Sequence, residues 1–506
     1  MRLNPRSGYL ALAVTIAGTS AANAQNLPAA TAATPATPAP LVAQADPPPA
    51  DPQADPQQAP KVEPPAAATP EAPRPPEELL RKMIDEQLAK GIKPKVGDVS
   101  MHGYFRAGYG VSQEGGRQVC FQAPGAIAKW RLGNECDEYG EFIFSAPAYI
   151  GENGFVATAN VMFDFFVPTT SQGYTDTFTP GNNELGRGIG WGTSQLYFDF
   201  AGVPFLGEGA HAWIGRRYYK RDNIDTIDYF YWNSSGLGGG IEDIPLSGPV
   251  KLSVAMFEAD GPGKANATDP TLPSLPLRSE MGLRPDIRVY GIPVPGGELV
   301  LGVNPVIDVS GDTANAPTNT TSGISATAMH VAKAMGGTNK LVAQYGVGSA
   351  VGNNGVFGSL ENSSKANFVR LLDHFDFQVT PKFSANLVAV FNRYSKETTG
   401  QTDARIGITA GARVSYAFRE NAALIADAGF DTVSDVGDRR NLFKVTVAPS
   451  LVANKGFWGR PQLRVFATVA TWNAAARAAG VDSGGIYTNT DKTVGATFGM
   501  QGEAWW

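Results

Sequence analysis

From Met101 onward, large apolar residues alternate with polar or small ones at a period of two. Phe142-Ile143-Phe144, Val161-Met162-Phe163-Asp164-Phe165, Leu196-Tyr197-Phe198-Asp199-Phe200 and the run from Leu463 to Val469 all carry it. Gaps rich in Gly, Asn and Thr, such as Gly181-Asn182-Asn183 and Thr318 to Gly323, separate these runs. One greasy face and one mixed face at this period predict antiparallel strands. A soluble sandwich would turn the greasy face inward. An outer-membrane barrel would turn it to lipid and keep polar groups in the lumen. The last segment favours the barrel. Phe498, Met500, Ala504 and Trp506 share one face, Thr497, Gln501, Glu503 and Trp505 the other, and the chain stops on an aromatic. Membrane strands take about 9–11 residues, and with turns and loops roughly 22–25 each. The body, residues 101–506, then predicts an all-β transmembrane barrel of roughly 16–18 strands, wide enough for an aqueous channel.

The N-terminal region breaks the pattern. Arg2 and Arg6, the apolar run Tyr9–Ala17 and Ala22-Asn23-Ala24 read as an export signal over residues 1–24. Residues 25–76 read as a disordered linker: Leu27–Pro76 holds 16 of the 37 prolines and almost no core-forming residues. Over residues 77–91, Leu80, Ile84 (or Met83) and Leu88 fall on one helical face ending at Gly91. Such a short helix is marginal alone, and a coiled coil or a frayed end are both open. Composition excludes other classes. Charged residues are 17% of the chain, against about 25% in an average soluble protein. The net charge of −6 gives no nucleic-acid footprint. Four histidines and two cysteines give no material for a metal cluster. No cofactor and no enzymatic activity are expected.

Parity assigns the lumen. In the first strand, His102, Tyr104, Arg106 and Gly108 share one face, while Gly103, Phe105, Ala107 and Tyr109 share the face suited to lipid. After Cys136, the same logic turns Tyr139 and Glu141 inward and Phe142 and Phe144 outward. Two strands therefore each present an aromatic two residues from a charge. That pairing suits a sugar, whose C–H face packs on a ring while its hydroxyls bond to the charge. From periodicity alone, an interfacial aromatic belt with charges that merely wet the pore fits equally well.

Several ordered stretches resemble the maltoporins and related carbohydrate porins of Gram-negative outer membranes: His102–Gly108, Cys120–Glu141, Gly215–Asp243, Asn339–Gly346, Arg370–His374, Arg460–Trp472 and the closing Met500–Trp506. The resemblance covers nearly the whole body and leaves out the signal and linker; the preceding helix is similar to the sucrose-porin branch. It implies a homotrimer of 18-stranded barrels in the outer membrane, with a periplasmic N-terminal segment. Its implied activity is passive diffusion of maltose, maltodextrins or related oligosaccharides. By matching motifs, Tyr104, Tyr139, Trp458 and Trp505 would form an aromatic slide. Arg106, Arg131, Glu141, Arg221 and Asp228 would form a polar track, with Phe230 at the constriction. Cys120 and Cys136 lie at the family's spacing in the first outer loop, and in an exported chain two such cysteines are expected to pair.

The chain also departs from the family. Phe230 and Asn233 stand where a Tyr and an Asp are common, and Asn223 and Asp225 replace an Asp and a His. Thr338 occupies a slide position usually held by an aromatic. The loop from Thr169 to Trp191 does not align, which leaves Tyr174, Phe178 and Trp191 as candidates for a ring reaching into a neighbouring pore. Besides the sugar-selective channel, two readings stay open. One is a barrel-embedded hydrolase, for which no nucleophile motif accompanies Asp373-His374. The other is a general or sucrose-type porin with weak selectivity, whose linker engages a periplasmic partner.

Overall fold

The computed structural model describes residues 96–506, apart from 128, 169–177, 181–188, 261–280, 311–319, 353–359, 361–362, 396–403, 436–437 and 483–484. The expected signal (1–24), linker (25–76) and helix (77–91) lie outside the described residues, as does Tyr174.

The period of two is realised as one closed sheet. Nineteen strands are hydrogen-bonded together, of which the three-residue Phe178–Pro180 pairs only, and in parallel, with Ile189–Ala201. The other 18 pair antiparallel with their neighbours around a barrel. Their lengths run from seven residues in His211–Arg217 to 15 in Asp438–Val452. Ser100–Ser112 closes the circle by pairing on one side with Asp137–Ile150 and on the other with Val494–Trp505. A closed sheet has no unpaired edge, the condition for crossing lipid with strands.

Burial is inverted relative to a soluble sandwich. In Gln462–Trp472, Leu463, Val465 and Val469 are 44%, 52% and 46% exposed, while Arg464 and Thr468 between them are 4% and 0% exposed. The same alternation exposes Phe105 and Tyr109 and buries His102 and Arg106 in the first strand. The apolar face points outward, as the parity reading of these strands predicts.

One stretch of the inner wall departs from polar-in alternation. Val300, Met329, Val342, Leu372, Val388 and Val390 face inward and are buried. Two inward-folded loops cover them, contributing Ile127 and Trp130 from the first and Ile224, Ile227, Tyr229, Tyr231 and Trp232 from the second. The second loop is a small hairpin of Asp222–Ile224 with Tyr229–Trp232, turned by the 3-10 segment Asp225–Ile227. Asp228 ends that turn in the left-handed region at φ 54°, a conformation Asp tolerates better than most residues. The loops also bond to each other, Lys129 N to Ile227 O at 3.2 Å and Arg131 N to Thr226 O at 3.0 Å. A disulfide joins Cys120 and Cys136 across the first loop, with Cα atoms 6.0 Å apart. The apolar inner positions are thus a small core shared by wall and loops.

Gly411 and Gly429 pair directly across two strands, and a Cβ at either would strike the Trp130 ring. They are the seat of that indole. Gly429→Val should displace Trp130, cost about 1–3 kcal/mol by overpacking, and free the first loop from the wall. We expect a lower thermal midpoint and a higher single-channel conductance; wild-type values for both would refute the seat.

Candidate functional site

The closing seam of the barrel builds the site. In register, Tyr104 lies between Glu141 and Trp505, and Arg106 between Tyr139 and Glu503. Two inward rows across three strands therefore carry six of the seam's chemistry-bearing side chains. The rings form a file: Tyr139 to Tyr104 at 6.1 Å, Tyr104 to Trp505 at 6.4 Å in a stacked arrangement, and Trp505 to Trp458 at 6.1 Å between centroids. Trp458 joins from the turn after Asp438–Val452, where Phe457 meets it edge-on at 4.8 Å. Strand parity has no hold on a turn residue, so only the family resemblance pointed to it.

Charges run beside the rings. Arg106 Nε donates to Asp137 at 2.7 Å, and its guanidinium lies 5.1 Å from the centre of the Tyr139 ring. The Tyr139 hydroxyl donates to Glu141 at 2.6 Å. Arg131 reaches from the first loop with every edge engaged. Its Nη1 donates to Asp225 at 2.6 Å, its Nη2 to the Tyr104 hydroxyl at 2.7 Å and to Glu503 at 3.0 Å, and its Nε to Glu135. Glu503 in turn accepts from the Tyr104 hydroxyl at 2.9 Å, Arg460 at 2.8 Å and Arg464. Burial alone would raise the Glu135 carboxyl, but Lys129, Arg106 and Arg131 hold it well below the usual carboxylate range.

The other expected residues sit on the second loop. Arg221 is clamped between Tyr218, 3.6 Å from the ring centre, and Phe230, at 4.8 Å. Asp228 is 3.9 Å from the Lys129 ammonium. Thr338 faces inward beside the short turn Met335-Gly336 and accepts from Lys333 Nζ at 3.0 Å. Trp191 lies on the outer side of the barrel, stacked on Phe163 at 5.6 Å.

Sequence reasoning missed Glu135, Asp225, Arg460 and Arg464. The parity that places Thr468 inward would have found Arg464. Strand parity turns Glu503 to the lumen but carries no sign of its role as a hub. Glu135 and Asp225 lie in loops, where no periodic signal exists.

Residues 99–506 match the family model of the LamB porins. The chain belongs to the LamB porin family. It is a porin, a channel-forming barrel of the outer membrane, and its match spans every barrel strand. Among solved structures it is similar to OmpT of Vibrio cholerae in its trimer form, with 8% identity over 81% of this chain and 100% of that one, at a TM-score of 0.37. It is also similar to OpdK of Pseudomonas aeruginosa solved with vanillate, with 8% identity, 81% and 100% coverage and a TM-score of 0.44. OccAB2 of Acinetobacter baumannii gives 9% identity, 81% and 98% coverage and a TM-score of 0.43. Likenesses this distant carry no functional reading.

The hub generates a test. Glu503→Gln leaves three arginines facing one neutral side chain in a buried place, and breaking a buried pair costs about 3–5 kcal/mol. A lower thermal midpoint is expected, together with a reversal potential in a salt gradient shifted toward anions. An unchanged reversal potential would mean that the hub charge does not act on the pore.

Proposed function

We propose that this porin is a sugar-selective channel through which maltose, maltodextrins or related oligosaccharides diffuse passively along the Tyr139–Tyr104–Trp505–Trp458 file. The observation that carries this reading is the unbroken spacing of those four rings, about 6 Å apart each time. A sugar's C–H face packs on a ring, and a stacking contact of about 0.5–1.5 kcal/mol is strong enough to bind yet weak enough to release. Arg106, Glu141, Arg221 and Asp228 would exchange hydrogen bonds with hydroxyls along the path. Arg131 would act through the rings, and Phe230 would narrow the passage with Arg221. The channel is read as non-enzymatic and free of cofactors.

A homotrimer belongs to the same reading. On the outer side of the first strands, Phe105, Phe142, Phe165 and Trp506 form a ring-on-ring patch with centroids 6.0–6.2 Å apart. This aromatic face supports subunit contact there. The N-terminal segment would lie in the periplasm, its linker free to engage a partner.

Thr338 favours a second reading, a general or sucrose-type porin. With no ring at that position, the slide is shortened at its short-turn end, and long oligomers gain little over short ones. Single-channel currents titrated with maltose, maltotriose, sucrose and a non-sugar solute separate the two. Saturable block by maltooligosaccharides is expected. A current that falls only with bulk viscosity would leave the general porin.

Variants sharpen the test. Trp505→Ala should weaken sugar block several-fold, with ion flow equal or higher. Thr338→Phe should tighten maltotriose by several-fold to about tenfold, since 1.4 kcal/mol is a factor of ten. Equal sugar affinity in wild type and both variants would overturn the slide.

A further inference from the structure

Across the barrel from the closing seam, pairing register lays outward side chains in rows over the strands Gly297–Asp308, Gly323–Ala334, Gly337–Val347 and Asn367–Thr380. One row reads Leu301, Ala328, Ala343, Leu371, and the row beside it Val303, Ala326, Tyr345, Val369. The alanines leave a trough of about 610 Å³ on the outer surface, walled by the larger neighbours and almost wholly apolar. The next row toward the short turn Met335-Gly336 is different. It reads Leu299, His330, Leu341, Asp373, and Asn339 stands one row further on.

Asp373 is thus an exposed carboxylate next in row to the trough, between Leu371 and Phe375 on a face otherwise suited to lipid. Asn339 Nδ2 donates to it at 2.6 Å. One amide donor offsets only part of the cost of holding a carboxylate against lipid. A cation beside it would offset the rest.

Orientation adds to this. Short barrel turns face the periplasm, so the polar end of the feature points toward the membrane surface and the apolar trough toward the midplane. That is the polarity of one phospholipid in the periplasmic leaflet. A soluble ligand would not meet this face, and the aromatic patch offered above for subunit contact lies on the strands at the opposite side of the barrel.

We propose that this groove binds a phospholipid with a primary-amine headgroup, one acyl chain lying over Ala328 and Ala343 and the ammonium against Asp373. The trough supplies affinity for any chain of suitable length, and Asp373 supplies the choice of headgroup. An anionic headgroup would meet like charge at Asp373. The proposal is independent of what passes through the lumen.

The test uses the full barrel purified in detergent, with native mass spectrometry of retained lipid. The probes are phosphatidylethanolamine and phosphatidylglycerol with identical acyl chains. Wild type should retain the ethanolamine lipid preferentially, by roughly tenfold for one charge-assisted hydrogen bond. Asp373→Asn should abolish that preference while keeping overall lipid retention. Ala343→Phe, which fills the trough, should reduce retention of both lipids. Unchanged single-channel conductance in both variants certifies the fold, because neither side chain faces the lumen. Equal retention of the two lipids by wild type, or a preference that survives Asp373→Asn, would overturn the proposal. Dissociation of an oligomer by Ala343→Phe with lipid retention unchanged would assign the groove to a second copy and overturn it as well.

Discussion

The contact between Arg131 and Glu503, 3.0 Å long and shielded from solvent, is the interaction on which the rest of the site depends. It joins a loop that has no periodic structure of its own to the strand that closes the barrel. Each partner is a hub for the opposite charge. Arg131 also meets Glu135 and Asp225, and Glu503 also meets Arg460 and Arg464. Through these few groups the closing strand, the first loop, the second loop and the turn carrying Trp458 hold one another in place. A guanidinium suits the position because its planar fork offers donors along several edges at once, which an ammonium cannot do. Isolated buried ion pairs are weak evidence for stability. Here the alternation of sign leaves no charge without a close opposite, so desolvation is offset within the cluster.

The same hub orients the rings. The Tyr104 hydroxyl is held by Arg131 and Glu503, and the Tyr139 hydroxyl by Glu141. Arg460 lies 4.2 Å from the centre of the Trp505 ring. The polar ends of the tyrosines are thereby occupied by protein, and the ring planes are fixed before any solute arrives. A rigid surface loses little entropy on contact, so on the proposed reading each weak stacking contact would be realised nearly in full. Charge and aromaticity at this seam are one device: the ion pairs hold the tyrosine hydroxyls and set the rings.

How legible this was in the sequence follows from where each residue sits. Tyr104, Arg106, Tyr139, Glu141 and Trp505 lie in strands, where a period of two assigns a face without knowledge of the fold. Their convergence required one further fact, that first and last strands are neighbours, and a closed barrel supplies it. Alternation failed along the inner wall from Val300 to Val390, because those residues are buried under loops rather than exposed to the channel. A strand pattern records what a face touches, and a face covered by the protein's own loop reads like one that touches lipid. Arg131, Asp225 and Glu135 were beyond any periodic reading, since loops place side chains by tertiary contact alone. The resemblance to carbohydrate porins points to Arg131 but not to its two loop carboxylates: Asp225 stands where the second loop departs from the family, and Glu135 lies inside the matching stretch Cys120–Glu141 with no role attached to it.

Small residues in the wall mark where something else packs. Both faces of a barrel wall are interfaces, so deleting side-chain volume at one position opens a seat on one side only. At Gly411 and Gly429 the occupant is Trp130, and at Gly302 it is Trp232, both from loops folded into the lumen. At Gly103 and Gly140 on the outer face it is Trp506 and Phe165, from the same chain. In each case the seat and the ring that fills it are separate in sequence and meet only in the folded barrel, by strand register at Gly103 and Gly140 and by loop insertion at the others. Ala328 and Ala343 follow the same pattern on the outer face, but the trough over them is open. A seat of that kind inside a membrane is filled by the surrounding solvent, and there the solvent is lipid. The carboxylate next to it then decides which lipid, just as Arg131 and Glu503 decide how the rings stand at the seam: apolar shape provides the place, and a charge beside it provides the choice.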